Sequence, residues 1–420
     1  MKISKAISRG SRFVRRDWQQ PVGRLRRKAA RFDSVIAVTG SAGKSCTTRL
    51  IGLLAGSLAP AHVVFDANTY PSVLRRMATS NIGARYWVQE VSGHSASDLR
   101  MSADFLRPDV AVVTNIQFDH ISIHRDLDAT AESKGQLVEA LGENGVAILN
   151  ADDPRVLAMA GKCRGRVVTY GVSQDADIRA VQHRDGLPGR MAFTATDGTD
   201  RISVETKFVD ARWIPNFLAA LACGTVLGIP FRRCGEILAG AEPELYKDSV
   251  HERNGVMVVL DTQKSPFWTI AGSLEIVRKA NYGRKIFIQG TISDYRGSAG
   301  PKYRNTARQA LENADMAIFC GPLSERVRKL QPEFGERLQA FPTYAELHAY
   351  LRTFLEPGDF VYAKASATDH LERVLFGLDE ADICVRDRCG KVRSCDRCRH
   401  LAKRRFPSFG RPPGVRTDQS

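Results

Sequence analysis

Short β-branched runs alternate along the chain with segments whose apolar residues recur at helical spacing. Val35-Ile-Ala-Val38 is the first run, and Thr47 to Leu58 behind it carries the helical pattern. Ala84 to Val88, Val110 to Val113, Val146 to Leu149 and Val167 to Tyr170 read as further strands, with Ala129 to Leu141 as an intervening helix. That order implies a largely parallel sheet covered on both faces. From about residue 175 the pattern changes. Arg190 to Thr196 and Arg201 to Phe208 alternate around Gly198, which predicts antiparallel strands on the edge of the first domain. A helix over Asn216 to Leu227 follows and stops at Gly228. Gly240, Pro243 and clustered charges predict a linker near 240–250. A second α/β set then runs through Val256 to Asp261, Lys285 to Gln289, Met316 to Cys320 and Phe360 to Ala363.

Composition adds little to that picture, but charge adds more. The chain of 420 residues has room for two or three domains, and its 43% hydrophobic content is ordinary for a globular protein. Apolar stretches such as Leu218 to Leu227 are too short to span a bilayer, and the N-terminus has no apolar core of signal-peptide length. The expected location is cytoplasmic. The net charge of +15 sits at the ends. Residues 1–32 hold eleven Lys or Arg against Asp17 alone, and residues 384–420 hold eleven against three acidic residues. The body is near neutral, which argues against nucleic acid. Basic tails suit an anionic polymer, a membrane surface or an acidic protein partner, or are simply solvated.

The most specific chemistry lies behind the first strand. Gly40-Ser-Ala-Gly43-Lys44-Ser45 joins that strand to a helix. Its glycines let backbone amides approach phosphate oxygens, and the helix dipole favours the polyanion. Lys44 would reach the β/γ-phosphates and the Ser45 hydroxyl would ligate magnesium. The glycine spacing is two residues shorter than in the standard P-loop.

Val35-Ile-Ala-Val-Thr-Gly-Ser-Ala-Gly-Lys-Ser-Cys-Thr-Thr resembles the nucleotide loop of the Mur ligase superfamily, which includes folylpolyglutamate, cyanophycin and poly-γ-glutamate synthases. The resemblance implies that ATP phosphorylates a carboxylate and an amine then attacks the acyl phosphate. It extends in order along the chain. Glu90 in Gln89-Glu90-Val-Ser-Gly-His94 matches a magnesium-holding carboxylate. Thr114-Asn115-Ile-Gln-Phe-Asp119-His120 matches a motif whose His ligates a second metal and whose Asn lies near the phosphates, with His124 a lesser contributor. Lys134 matches a lysine typically carbamylated to bridge the metals, and Asn150-Ala-Asp152-Asp153 a mainly structural segment. Asn216 matches an adenine-side Asn, and Asp261 an Asp that holds the ribose. Gly290 to Arg296 and Lys364-Ala-Ser366 through Glu372 resemble later loops of the final domain.

Departures bear on the substrate. Pro215 and Ala219 replace the expected His and second Asn, Lys264 replaces another His, and Tyr246 or Lys247 stands where an Arg is usual. Only 32 residues precede the phosphate strand, and Cys320-Gly-Pro-Leu-Ser-Glu replaces the Asp-Asn-Pro-Arg of diaminopimelate- or lysine-adding ligases. The implied architecture is α/β: a basic extension (1–32), a P-loop-type, mostly parallel ATP-binding central domain (33–240), a smaller Rossmann-like α/β C-terminal domain (241–380) and a basic cysteine-rich tail (381–420). The implied enzyme is an ATP- and Mg2+-dependent amide-forming ligase for an amino acid, peptide or amino-acid polymer, not a UDP-muramyl peptide. Two other readings are a MurT-like subunit working with a glutaminase partner on a lipid-linked precursor, and a non-catalytic, zinc-tailed binding protein. Cys384-x4-Cys389-x5-Cys395-x2-Cys398 offers four thiolates for a structural Zn2+, or a reduced or redox-active tail.

Overall fold

The computed structural model describes residues 19–65, 67–80, 83–92, 96–117, 126–173 and 175–378, with 384, 386, 395 and 398 beyond them. Two sheets organise the chain. The first has nine strands in the order β2-β3-β1-β4-β5-β6-β7-β8-β9. They are β1 (Ser34–Thr39), β2 (Ala61–Val64), β3 (Tyr86–Glu90), β4 (Val110–Val113), β5 (Val146–Asn150), β6 (Arg166–Gly171), β7 (Ile178–Arg184), β8 (Ala192–Thr196) and β9 (Arg201–Glu205). Pairing is parallel from β2 through β7 and antiparallel from β7 to β9.

Strand periodicity sorts the side chains of this sheet into two cores. Ile36, Val38, Val88, Val112 and Ile148 point to one face and meet α2 (Lys44–Leu58) and the helix Ile214–Val226. Val35, Ala37, Trp87, Ala111, Val113, Ala147 and Leu149 point to the other. That second face is covered by α3 (Tyr70–Thr79), α4 (Ala96–Leu106) and α5 (Leu127–Glu139). The apolar stretch near Leu218 is the helix Ile214–Val226, here α6, buried from Asn216 to Gly224 between the sheet, α2 and α7 (Phe231–Ala239). A helix enclosed on every side carries apolar residues all round.

Residues 19–29, within the basic N-terminal stretch, form α1 (Gln19–Ala29), packed on α3. Its arginines cap backbone carbonyls of the body: Arg27 Nε reaches Leu106 O at 2.9 Å and Arg26 Nη1 reaches Ser80 O at 2.7 Å.

The second sheet has six strands in the order β10-β11-β15-β12-β13-β14. They are β10 (Ser249–Arg253), β11 (Val256–Asp261), β12 (Arg284–Gln289), β13 (Met316–Cys320), β14 (Leu338–Phe341) and β15 (Asp359–Lys364), all parallel except β10. Helices α8 (Ile270–Lys279) and α9 (Ala299–Asn313) cover one face, and α10 (Tyr344–Phe354) with α11 (Glu372–Phe376) the other.

Residues 241–248, within the expected linker at 240–250, hold no helix or strand and run between the two sheets, but they are anchored to both. Ala241 belongs to the first sheet's core, Tyr246 to the second, and β10 begins at Ser249. Its charges are used internally: Asp248 accepts hydrogen bonds from Tyr362 Oη at 2.5 Å and Trp213 Nε1 at 3.2 Å. Among the described residues no helix is long and apolar enough to cross a membrane.

Candidate functional site

Strands β3, β1 and β4 are adjacent and parallel, so their C-terminal ends open on the same edge of the sheet, where such folds bind ligands. Register fixes what meets there. Val38 is level with Glu90, and Thr39 with Val113. The glycine loop leaving β1 therefore lies between Glu90 and the Thr114-Asn115 segment.

The loop's shape depends on its glycines. Gly40 has φ 140° and Gly43 φ 78°, a region open chiefly to glycine. A Cβ at Gly40 would fall 1.9 Å from Thr114 Oγ1, and one at Gly43 2.3 Å from Asn216 Nδ2. Asn115 fastens the loop from below. Its backbone carbonyl accepts the Ser41 amide and its side-chain Oδ1 accepts the Ala42 amide, both at 2.9 Å. Thr114 Oγ1 donates to Ala42 O at 2.7 Å, and Ser41 Oγ both donates to Gln117 O and accepts from Gln117 N. From behind, Asn216 Nδ2 donates to Gly43 O at 3.0 Å and to Thr47 Oγ1 at 2.9 Å.

Lys44 Nζ curls over its own loop, donating to Gly40 O at 2.8 Å and Ser41 O at 3.0 Å. The Ser45 hydroxyl donates to Glu90 Oε2 at 2.7 Å. Asn68 Nδ2 donates to Glu90 Oε1 at 2.8 Å, fixing the carboxylate in a buried position. Two hard oxygen donors side by side are a chemically suitable start for magnesium. Burial pushes the neighbouring Cys46 thiol up to about 12, which keeps it protonated at neutral pH and unsuited to nucleophilic work.

A supporting layer steadies the Asn115 segment. Asn150 Nδ2 donates to Thr114 O at 2.8 Å, and Asp153 Oδ2 accepts the Ile116 amide at 2.7 Å. Asp152 accepts the amides of Val172 and Ser173. These contacts match the structural part expected of Asn150, Asp152 and Asp153.

The structure thus gathers Gly40, Gly43, Lys44, Ser45, Glu90, Asn115 and Asn216 into one hydrogen-bonded unit. Lys134 lies on α5, the crossover between β4 and β5, with its side chain buried. His120, Asp119 and His124 lie outside the described residues, as does Cys389. Asp261 belongs to the second sheet, at the end of β11, where it forms an ion pair with Lys364 from the end of β15. Burial raises its carboxyl above the ordinary carboxylate range, opposed by the Lys364 ammonium. Tyr246, a proposed replacement for the missing arginine, is buried in the core of the second sheet, and Lys247 pairs with Glu244 at 2.9 Å. Asn68 escaped the sequence reading. It follows the four-residue strand β2 and carries no local motif, and its place beside Glu90 comes from the β2–β3 pairing.

Residues 38–224 match the family model of the Mur ligase middle domain. The UDP-N-acetylmuramoyl-L-alanyl-D-glutamate–2,6-diaminopimelate ligase of Geobacillus kaustophilus is 28% identical over 323 residues, covering 70% of this chain. The chain spans 64% of that relative's length. A crystal structure of MurF from Acinetobacter baumannii superposes with a TM-score of 0.79 at 20% identity, covering 87% of this chain and 80% of the other. MurF ligase from Thermotoga maritima in complex with ADP gives 0.74 at 20% identity, covering 87% and 83%. At those identities the likeness of the two structures is one of fold.

Proposed function

The chain belongs to the Mur ligase superfamily, and on that premise we propose that it is an ATP- and magnesium-dependent ligase joining a carboxylate to an amine through an acyl phosphate. The observation that carries this reading is the Ser45–Glu90–Asn68 arrangement beside a phosphate loop pinned by Asn115. The amides of Ser41 and Ala42 are engaged with Asn115. Triphosphate contacts are accordingly assigned to the amides of Gly43, Lys44 and Ser45, where the orphan N–H groups and positive dipole of α2 are available. Lys44 would exchange its loop carbonyls for phosphate oxygens.

Ser45 and Glu90 are the proposed magnesium ligands, with His120 assigned to a second ion and Lys134, once carbamylated, to bridging the two, both by resemblance. Magnesium bound there would screen the triphosphate charge during phosphoryl transfer. In the first step a carboxylate oxygen bonds to the γ-phosphorus as its bond to the ADP oxygen breaks. In the second the amine nitrogen bonds to the acyl carbon, phosphate departs and the nitrogen loses a proton to solvent. The protein's part is to position charge and reactants, and no side-chain nucleophile is required.

The proposed substrates are an amino acid or short peptide as amine and a carboxylate that is not a UDP-muramyl peptide. Cys320-Gly-Pro-Leu-Ser-Glu at the end of β13, in place of Asp-Asn-Pro-Arg, supports a different amine. The test incubates the full chain with ATP, magnesium and mixed carboxylates and amines, including a UDP-muramyl peptide, and identifies products by mass spectrometry. An ADP-coupled amide product that disappears in Lys44→Ala is expected. No ADP release with any mixture, or turnover unchanged in Lys44→Ala, overturns the ligase reading. A UDP-linked product overturns only the substrate assignment.

A further inference from the structure

The cysteine-rich segment makes a contact with the second α/β half that its own spacing does not suggest. Among the described residues, the ligating atoms of His370, Glu372 and Cys395 all lie within 4.8 Å of one another, and all three residues are buried. Cys384 and Cys398, the two other tail cysteines described, do not join that group. The fold brings a tail thiol to an imidazole and a carboxylate beyond the end of β15.

The setting is built rather than incidental. His370 holds a left-handed backbone, φ 53°, and its Nδ1 is 3.5 Å from Glu372 Oε1. Such a conformation in a non-glycine residue persists only where its surroundings enforce it. Glu372 Oε1 accepts the Cys395 amide at 3.2 Å, and Oε2 accepts the Thr262 hydroxyl at 3.4 Å. Hydrogen bonds of this sort orient carboxylates that bind metals. The Cys398 amide donates to Cys395 O at 3.0 Å, closing a turn that brings positions i and i+3 of the Cys-x-x-Cys together. Arg373 supplies a buried positive charge next door, over the Tyr344 ring and 3.6 Å from Cys384 Sγ.

We propose that His370, Glu372 and Cys395 form a structural zinc site that fastens the cysteine segment to the second α/β half, with the Cys398 thiol, which lies outside that group but on the same turn as Cys395, swinging in as the fourth ligand when metal binds. One nitrogen, one carboxylate oxygen and two sulfurs make a closed tetrahedral set suited to Zn2+, with no position left for a substrate. On binding, each thiol gives its proton to solvent and the metal takes the thiolate. The set carries one net negative charge, which faces the Arg373 guanidinium. Cys384 stays out of the coordination sphere.

Metal analysis of the full chain, purified without chelator, tests the assignment. Roughly one zinc per chain is expected, lost in His370→Ala and Cys395→Ser, kept in the control Cys163→Ser and restored in His370→Cys, which substitutes one zinc ligand for another. Cobalt exchanged into the unaltered chain gives a readout that needs no variant. Tetrahedral visible bands are expected, with charge-transfer intensity for two thiolates. The proposal is overturned if the chain neither holds zinc nor takes up added zinc or cobalt, if His370→Ala keeps its metal, or if the cobalt spectrum shows four thiolates.

Discussion

Glu90 is a carboxylate with one oxygen on Ser45 and the other on Asn68, so its position is set from two sides before any ligand arrives. Glu90→Gln keeps the size and removes the charge. Turnover should fall by about a hundredfold or more, the scale seen when one electrostatic stabiliser is removed. Raising magnesium should recover part of the loss, and a magnesium titration identical to that of the unaltered chain would sink the ligand assignment. His251 offers a separate, residue-level test. Burial lowers its pKa to about 4, with Arg253 adding to the shift, while its Nε2 shares a 2.8 Å hydrogen bond with Ser249 Oγ. The folded state holds it neutral where the unfolded chain would protonate. Its contribution is therefore present above about pH 6.5 and lost as pH falls toward 4, by up to about 3 kcal/mol. Thermal melts of His251→Gln should show a flatter loss of stability over that window. Equal slopes for both proteins would contradict the assignment. Lys44, Glu90 and Asn115 were readable because each lies within a contiguous motif, at the end of a strand, in the loop just after one or at the start of the helix that follows. Asn68 was not, because its partner is fixed by strand pairing, a long-range fact.

At the scale of elements, the alternation of strand and helix was legible because both faces of each sheet are covered, leaving strands as short apolar runs. β10 was hidden. Its residues Ser249-Val-His-Glu-Arg253 form an edge strand with charged positions, and the segment before it is rich in charge. β2 was missed for its length of four residues. The docking of α1 was also beyond the pattern, since its contacts are arginines on backbone carbonyls rather than an apolar stripe. Arg27 caps the C-terminal end of α4 through Leu106 O, where a cation also complements the helix dipole. Arg27→Ala should cost about 1–2 kcal/mol, read as a lower midpoint in urea. An unchanged midpoint would mean that α1 sits on the body without contributing to its stability.

At the scale of the molecule, Asp248 ties the two halves. It receives Trp213 and Tyr362, and Arg212 Nη2 approaches it at 3.5 Å while Arg212 Nε also donates to Asp210. Lys279 reaches across to Asp185 at 3.1 Å. Removing one member of such a buried charged network leaves the others uncompensated. Asp248→Ala should lose about 3 kcal/mol or split calorimetric unfolding into two transitions. A single transition at the original temperature would show the link to be dispensable. The fold could be read from alternation along the whole chain, and the family resemblance mostly from the contiguous loop and strand-end motifs of the first half. The substrate could not, and the second half is where Lys264, Ala365 and the Cys320 segment depart from the motifs they resemble.

The fit between Gly43 and Asn216 has a consequence for how this sequence can drift. The two lie 173 positions apart, yet the space a methyl group would need at one is filled by the amide of the other. A shorter residue at 216 would open the room but take a donor from Thr47 Oγ1 and leave Gly43 O with the Thr47 amide alone, and a larger residue at 43 would first have to displace that donor. Each site raises a barrier to change at the other, and the left-handed φ of Gly43 adds a second one at 43 that no change at 216 removes, so lineages of this chain should keep the glycine.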